Sequence, residues 1–343
     1  MLLIFANSKK YYLGGVEIFN ENLERLLEKH NIDFKRIETP KMIAQNRFLS
    51  YLYRSIVTVL YSWFNYNKKI NILVQHGSFW DIMVIPMLSL SFRNLYVISH
   101  VNAKWRHIKR PLLKFITNVV LNRFVKELLL ITDEQFEVYS HPNKHKISTI
   151  IDEQFYKIPT KPVPQNGYIL FLGRICKEKG VEDLIEVYYI LNKKQRLPCL
   201  KLVGHIEQTY FFRLKKKIEN YNLSEKVKIE APVYDTIEKI NLIDNSLMLV
   251  YPSYQDTFPL IMVESFARKR ICLISSIGET RNFIGLDDYL FEVGNKEELL
   301  MKLSKLINGG CTFNHSKGSR IYRKAVCLAR GKIVRDLKRL QVI

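Results

Sequence analysis

Short apolar runs alternate with stretches whose apolar residues recur at helical spacing along most of the chain. In the first half, the apolar runs predict buried strands at residues 2–6, 71–75, 95–99, 128–131 and 147–151. Residues 15–29 predict a helix that carries its apolar residues on one face, namely Val16, Phe19, Leu23, Leu26 and Leu27. Strands that alternate with helices favour a parallel sheet covered by helices on both faces.

The pattern breaks at residues 158–167, where three prolines and a glycine fall within ten positions. Such a cluster predicts a linker, and a second alternating series follows it. The strands of that series are predicted at 168–172, 199–203, 226–230, 247–251 and 271–275, and its helices at 180–195, 208–221, 235–241 and 260–268. The chain is therefore predicted to form two doubly wound α/β domains, 1–160 and 161–316, which face each other across a cleft. A basic segment, 317–343, follows them.

Composition agrees with this architecture. The chain has 343 residues, of which 47% are hydrophobic, so it can build two cores and is not a disordered protein. The formal net charge is +20 at pH 7, and both halves are basic. Such a field favours anionic partners, namely nucleotides, anionic lipid surfaces or nucleic acid.

Cysteine usage and the start of the chain indicate the compartment. The five cysteines, none in a C-x-x-C pair, are Cys176, Cys199, Cys272, Cys311 and Cys327. This pattern favours buried thiols in a reducing cytosol over a disulfide framework or a zinc site. Residues 1–6 lack a basic region before them and predict a first strand rather than a signal peptide. No stretch reaches the roughly 18–20 apolar residues of a spanning helix, so we expect a cytoplasmic protein.

Two carboxylates follow the predicted strand at 247–251. Asp256 comes after a Pro-Ser turn, and Glu264 lies eight positions later on the next predicted helix. Free N–H groups at the start of that helix would bind an anion, and Glu264 would reach the hydroxyls of a ribose. The approach to the helix is formed by Thr257, Phe258, Pro259 and Leu260.

Other polar or glycine-containing turns also follow or precede predicted elements. After the strand at 168–172 the chain reads Gly173-Arg174, and Lys179-Gly180 leads into the next helix. Gly14 and Gly15 precede the first helix, and His76 and His100 each follow a strand. Neither histidine has partners at metal-ligand spacing, so no metal site is predicted.

These segments resemble the retaining glycosyltransferases of family 4, which have the GT-B fold and belong to the glycosyl transferases group 1. The E-x7-E signature of that family corresponds to Asp256 and Glu264. Its G-R-x4-K-G turn corresponds to the segment that contains Arg174 and Lys179.

The resemblance implies transfer of a sugar from a nucleotide-sugar, without a metal cofactor and with retention of configuration. The acceptor would be a hydroxyl of a saccharide or a lipid-linked saccharide in cell-envelope polysaccharide synthesis. Arg174 and Lys179 would hold the donor diphosphate, where negative charge develops as the sugar leaves. Glu264 would hold the donor ribose, and Asp256 and His100 would line the sugar site.

The resemblance assigns further roles and also shows departures. The backbone at Gly14 and Gly15 would approach the donor phosphate and the acceptor. Val233 would adjoin the base, and the segment 317–343 would form a helix that crosses back to the first domain. Asp256 is one methylene shorter than the family's glutamate, and the family's G-D-G reads G-H-I here. These departures leave the identity of the donor open.

Two predicted helices are both basic and aromatic. Residues 104–126 hold seven Lys/Arg and no acid, and the stretch around 48–64 carries Arg54 among Phe, Tyr and Trp. Such helices either lie on an anionic membrane with the apolar face down, or pack that face on the sheet with their cations outside. The first alternative would place the protein peripherally on the cytoplasmic face of a membrane.

Two other functions stay open from the sequence. Sugar-nucleotide epimerases share the GT-B-like architecture, although the paired acids and the upstream Arg/Lys turn favour transfer. Nucleic-acid binding is permitted by the charge, but the chain contains no zinc-finger, RNA-recognition or basic-zipper pattern, so a nucleic-acid partner is not expected.

Overall fold

The computed structural model of the protein describes residues 1–6, 15–40, 46–101, 110–285, 287–311 and 315–343. The chain divides into two compact units, the first formed by Met1–Ile150 with Gly331–Ile343 and the second by Ile151–Arg330. Each unit contains one six-stranded parallel sheet, so the predicted α/β class is confirmed. Among the described residues, no helix combines the length and apolarity needed to cross a bilayer.

The first unit has the strand order β2-β1-β3-β4-β5-β6. Its strands are β1 (Leu2–Phe5), β2 (Phe34–Arg36), β3 (Asn71–His76), β4 (Asn94–Ser99), β5 (Glu127–Leu130) and β6 (Lys144–Lys146). Its helices before the second unit are α1 (Gly15–Lys29), α2 (Arg47–Phe64), α3 (Phe79–Met83), α4 (Ile85–Ser89), α5 (Pro111–Phe124) and α6 (Asp133–Val138). All six residues of β3 are buried, as expected for a central strand of a parallel sheet covered on both faces.

The second unit has the strand order β12-β11-β10-β7-β8-β9. Its strands are β7 (Tyr168–Leu172), β8 (Leu200–Val203), β9 (Val227–Glu230), β10 (Ser246–Tyr251), β11 (Ile271–Ser275) and β12 (Leu290–Phe291). Its helices are α7 (Gln154–Lys157), α8 (Val181–Asn192), α9 (Gln208–Asn220), α10 (Thr236–Asp244), α11 (Leu260–Ala267), α12 (Thr280–Ile284), α13 (Lys296–Asn308) and α14 (His315–Ala329). The strand order reverses between β7 and β10, and parallel sheets open a ligand crevice at such a point.

The strand predicted at residues 147–151 is wrong. The edge strand β6 ends at Lys146, because the Ser148 N–H turns away from the sheet and donates to the Asp336 carboxylate at 2.9 Å. The basic C-terminal segment is not a single helix either. It breaks at Gly331, whose φ of +78° ends the helical path, and continues as α15 (Lys332–Arg339) in the first unit.

The proline-rich stretch at 158–167 is fastened to the second unit rather than left as an open linker. Arg268 and Arg270 are fully buried, and Arg268 is paired with the Asp244 carboxylate through Nε–Oδ1 at 2.9 Å. Several other N–H groups of the two arginines donate to main-chain carbonyls of the stretch and of the helix before it. The accepting residues are Phe155, Ile158, Pro159, Lys161 and Pro162. A guanidinium with five N–H donors suits a segment whose prolines offer carbonyls but no N–H.

Replacing Arg268 with Met should lower the free energy of unfolding by about 3–5 kcal/mol, because Asp244 would be left buried without its cation. The matched control is Arg281→Met, since Arg281 is 55% exposed in its ion pairs with Asp287 and Glu292. That change should cost less than about 1 kcal/mol. Urea unfolding of both variants measures the difference, and equal losses would show that the buried pair does not stabilise the unit.

Candidate functional site

The predicted phosphate-binding turns lie together at the carboxyl ends of β7 and β10. Lys177–Lys179 form a 3-10 turn that ends at Gly180, with φ +65°. A Cβ at Gly180 would lie 2.0 Å from the Pro252 carbonyl oxygen, so only glycine lets the loop after β7 pack on the loop after β10. Gly278, with φ +48°, gives the same close approach to the Thr257 carbonyl from the loop after β11.

Lys179 and Asp256 are brought into direct contact. The Lys179 Nζ lies 2.6 Å from Asp256 Oδ2, and the same oxygen accepts from the Tyr251 hydroxyl at 2.9 Å. Asp256 Oδ1 accepts from the Thr257 N–H at 2.9 Å. Burial lowers the pKa of Lys179, but Tyr251 and Asp256 raise it by more, so the net pKa is raised and the ammonium stays charged. Asp256 therefore positions a cation and a loop, and its contact with a sugar stays a prediction.

Glu264 is 1% exposed in the second turn of α11. The ammonium of Lys239, from α10, lies 2.5 Å from its Oε2. No other described residue donates to that oxygen. A buried carboxylate oxygen with unused acceptor capacity is suited to a hydroxyl donor from a ligand.

Helix α11 begins after Pro259, with no side chain capping its N-terminus. Leu260 is its first residue, so the N–H groups of the first turn are placed to meet an anion. Phe258 packs edge-on against Phe283, with ring centroids 5.5 Å apart. Val233, between β9 and α10, packs against the apolar core of the unit. Phe258 and Val233 thus have structural contacts, and their roles at the donor stay predictions.

Arg174 is exposed and lines a cavity of about 420 Å³ in the second unit. His205, Tyr210 and Arg213 line the same cavity, from the loop after β8 and from α9. His205 stands where the resembled family has aspartate, although Glu178 and Glu207 also line the cavity. The replacement of that aspartate by histidine removes one negative charge from the neighbourhood of Arg174.

In the first unit, Gly15 is the exposed first residue of α1, and Gly14 lies outside the described residues. His100 follows β4, as predicted. Its Nε2 lies 2.7 Å from Gln75 Oε1, and its ring meets the Phe19 ring edge-on at 4.6 Å. Burial lowers the pKa of His100 to about 3, so the imidazole is neutral near pH 7. Part of the residue still reaches the surface.

The strand order of the first sheet also reverses, between β1 and β3. Two buried ionisable residues near that point, Arg54 and Asp81, were missed by the sequence interpretation. Arg54 donates to the Ala6 carbonyl just after β1, although the pattern indicated an outward cation. Asp81 accepts from the N–H groups of Gly77 and Ser78 after β3, at 3.0 and 2.7 Å. Burial raises the pKa of Asp81. Lys239 was missed likewise, because nothing local marks a helical lysine whose partner lies 25 residues away.

The family model for glycosyl transferases group 1 matches residues 152–323, half of the chain. The chain belongs to the group 1 glycosyltransferases. The expected family is thus confirmed, while the narrower assignment to family 4 stays a prediction.

Two curated relatives match parts of this group 1 chain. An uncharacterized glycosyltransferase of Bacillus subtilis, YqgM, is 32% identical over 141 residues, which are 39% of this chain and 38% of that protein. The capsular polysaccharide biosynthesis glycosyltransferase CapM of Staphylococcus aureus is 22% identical over 202 residues, 55% of this chain and 48% of that protein. The chain therefore spans less than half of the length of these relatives.

Solved structures match over the whole chain. Sucrose-phosphate synthase from Thermosynechococcus elongatus superposes on this chain with a TM-score of 0.76 at 14% identity. The match covers 99% of each chain. Anabaena Alr3699/HepE in complex with UDP has a TM-score of 0.75 at 14% identity, with both chains fully covered. The GT-B fold expected from the resemblance is confirmed.

Replacing Lys239 with Met should destabilise the protein by about 2–4 kcal/mol, because the buried Glu264 carboxylate would lose its only cation among the described residues. Adding Glu264→Gln should restore part of the loss by removing the unpaired charge. The control, Lys228→Met, removes a surface partner of Glu225 and should cost less than about 1 kcal/mol. Urea unfolding compares them, and a Lys239 loss no larger than the control would contradict the pairing.

Proposed function

We propose that the protein is a retaining glycosyltransferase that moves a sugar from a nucleoside-diphosphate sugar to a saccharide hydroxyl. The observation that carries the proposal is the convergence at the β7–β10 reversal. There the Lys179 ammonium, the uncapped start of α11 and the buried Glu264 share one edge of the sheet. The ammonium and the helix start suit the diphosphate of a nucleotide, and the carboxylate suits its ribose.

The donor diphosphate is proposed to bind Arg174, Lys179 and the N–H groups that begin α11. As the sugar leaves, negative charge grows on the diphosphate, and fixed cations stabilise it without reorganising. Glu264 accepts a hydrogen bond from a ribose hydroxyl, for which its Oε2 has capacity. Support comes from Anabaena HepE, whose solved structures contain UDP or UDP-glucose. We propose that these side chains supply the charge and that no metal ion is required.

The acceptor is proposed to be a saccharide of the cell envelope, including lipid-linked saccharides, at the cytoplasmic face of a membrane. CapM is named for capsular polysaccharide biosynthesis, and another fold neighbour, WaaB, for lipopolysaccharide outer core galactosyl transfer. The acceptor hydroxyl attacks the anomeric carbon from the face on which the phosphate leaves, and a phosphate oxygen takes its proton. His100 and Asp256 are proposed to line the sugar, and Gly14 and Gly15 to adjoin donor phosphate and acceptor.

Calorimetric titration with UDP, GDP, ADP and CMP should show one nucleoside diphosphate bound with clear preference, equally well in EDTA and in magnesium. Arg174→Ala should weaken that binding at least about tenfold, because a charge-assisted contact to phosphate is lost. The charge-matched control is Lys305→Ala, a lysine 74% exposed on the same unit. Unchanged affinity in the Arg174 variant would place the phosphate elsewhere, and binding that disappears in EDTA would contradict the metal-free proposal.

With the matching nucleotide-sugar and a saccharide acceptor, the product should keep the donor's anomeric configuration, read from proton NMR coupling constants. An inverted product would contradict retention. Glu264→Gln should lose at least about tenfold in kcat/KM, because a neutral amide accepts a weaker ribose hydrogen bond than a carboxylate. Full activity in that variant, with the fold intact by circular dichroism, would remove Glu264 from the donor site.

A further inference from the structure

Helix α2 exposes an apolar face along its whole length. Seven large apolar side chains are between 38% and 82% exposed there: Phe48, Leu49, Leu52, Ile56, Leu60, Trp63 and Phe64. They recur at intervals of about four residues, so they form one stripe of a helix about 27 Å long. The sequence left open whether this stripe packs on the sheet, and the structure places it on the surface.

The opposite face of α2, which is buried, is mostly polar. Among the described side chains of the helix, Arg54, Ser55, Thr58 and Ser62 are buried together with Tyr51 and Val59. The three hydroxyl groups donate to carbonyls one turn earlier in the same helix, so they pack inward without needing water. An ordinary surface helix buries its apolar face and solvates its polar one. In α2 that arrangement is inverted.

The helices beside α2 continue the exposed apolar surface. Helix α4 packs on α2 and α5, and the Trp63 indole N–H donates to the Leu90 carbonyl at the end of α4 at 2.9 Å. Exposed apolar side chains on these neighbours are Trp80, Met83, Leu90, Phe92, Leu112, Phe115 and Val119. We call these residues, with the seven of α2, the apolar face. A contiguous apolar surface of this extent marks a contact site rather than ordinary scattered exposure.

The segment of the chain that carries most of the apolar face is strongly basic. Residues 41–126 contain thirteen Lys/Arg and a single acid, Asp81, which is 2% exposed and bound to the backbone of its own loop. Exposed cations in the same segment include Lys68, Lys69, Arg110 and Arg123. Two copies of such a face would repel each other, whereas an anionic surface would attract it.

We propose that the apolar face docks on an anionic bilayer, with α2 lying in the plane of the interface. Its apolar stripe enters the boundary between headgroups and acyl chains, while the surrounding cations bind lipid phosphates. Inverted amphipathicity explains why polar residues fill the inner side of the helix, since the outer side faces hydrocarbon instead of water. The inference deepens the proposed function, because it gives the route by which a lipid-linked acceptor reaches the first unit.

Cosedimentation tests the proposal with vesicles of phosphatidylcholine alone and of phosphatidylcholine mixed with phosphatidylglycerol. The wild-type protein should bind the anionic vesicles, and high salt should weaken binding. Leu52→Ser/Ile56→Ser/Leu60→Ser should weaken it at least about tenfold, because three apolar side chains no longer leave water. A second variant, Phe64→Ser/Phe92→Ser, alters side chains 82% and 86% exposed, so its fold is secure and the same loss is expected.

The matched control is Phe212→Ser/Met301→Ser, which removes two equally apolar exposed side chains from the second unit and should leave vesicle binding unchanged. Equal binding by all variants, or binding to neutral vesicles alone, would overturn the proposal. If the wild-type protein forms a dimer without lipid and only the apolar-face variants are monomeric, the face instead binds a second copy of the chain. Nucleotide titration of the same samples reports separately on the second unit, so failure of vesicle binding and failure of the transferase proposal are distinguishable.

Discussion

The candidate site depends on the parallel pairing of β7 with β10 in the middle of the second sheet. The chain leaves these two strands toward opposite halves of the sheet, so their loops diverge and leave a crevice between them. Three charged groups of the candidate site enter from this edge. Lys179 comes after β7, Asp256 after β10, and Glu264 from the helix that follows. Without that reversal the same residues would be separated by a packed helix.

Much of this arrangement was predictable from the sequence, and the reasons are physical. Central strands such as β3 and β10 are buried on both faces, so they stand out as short apolar runs with glycine or proline after them. Because such strands are parallel, residues that follow them are expected at one edge. Lys179 and Asp256 follow β7 and β10, and the two side chains do meet at that edge. Their roles at a donor came from the family resemblance and stay predictions.

The features that sequence interpretation missed share another property. Lys239 and Arg54 lie on helices and Arg268 directly follows one, and a local pattern assigns such charged residues to the solvent side. Their partners are distant in the chain or are main-chain carbonyls, which leave no mark in the sequence. The edge strand β6 was misplaced for a related reason. The run after it is fully buried and apolar enough for a strand, but its Ser148 N–H donates to the Asp336 carboxylate of α15 instead of to a strand.

The hydrogen bonds of Arg268 and Arg270 to the proline-rich stretch limit where recombination can divide such a protein. The prolines at 158–167 look like a natural joint for exchanging one half of the chain between relatives. A recombination event there would separate both arginines from the main-chain carbonyls that accept from them, so the hybrid would depend on the new segment to place carbonyls at the same points. The segment able to travel as a module therefore starts near residue 151 and runs to about residue 330, and its ancestry should be traced over that span.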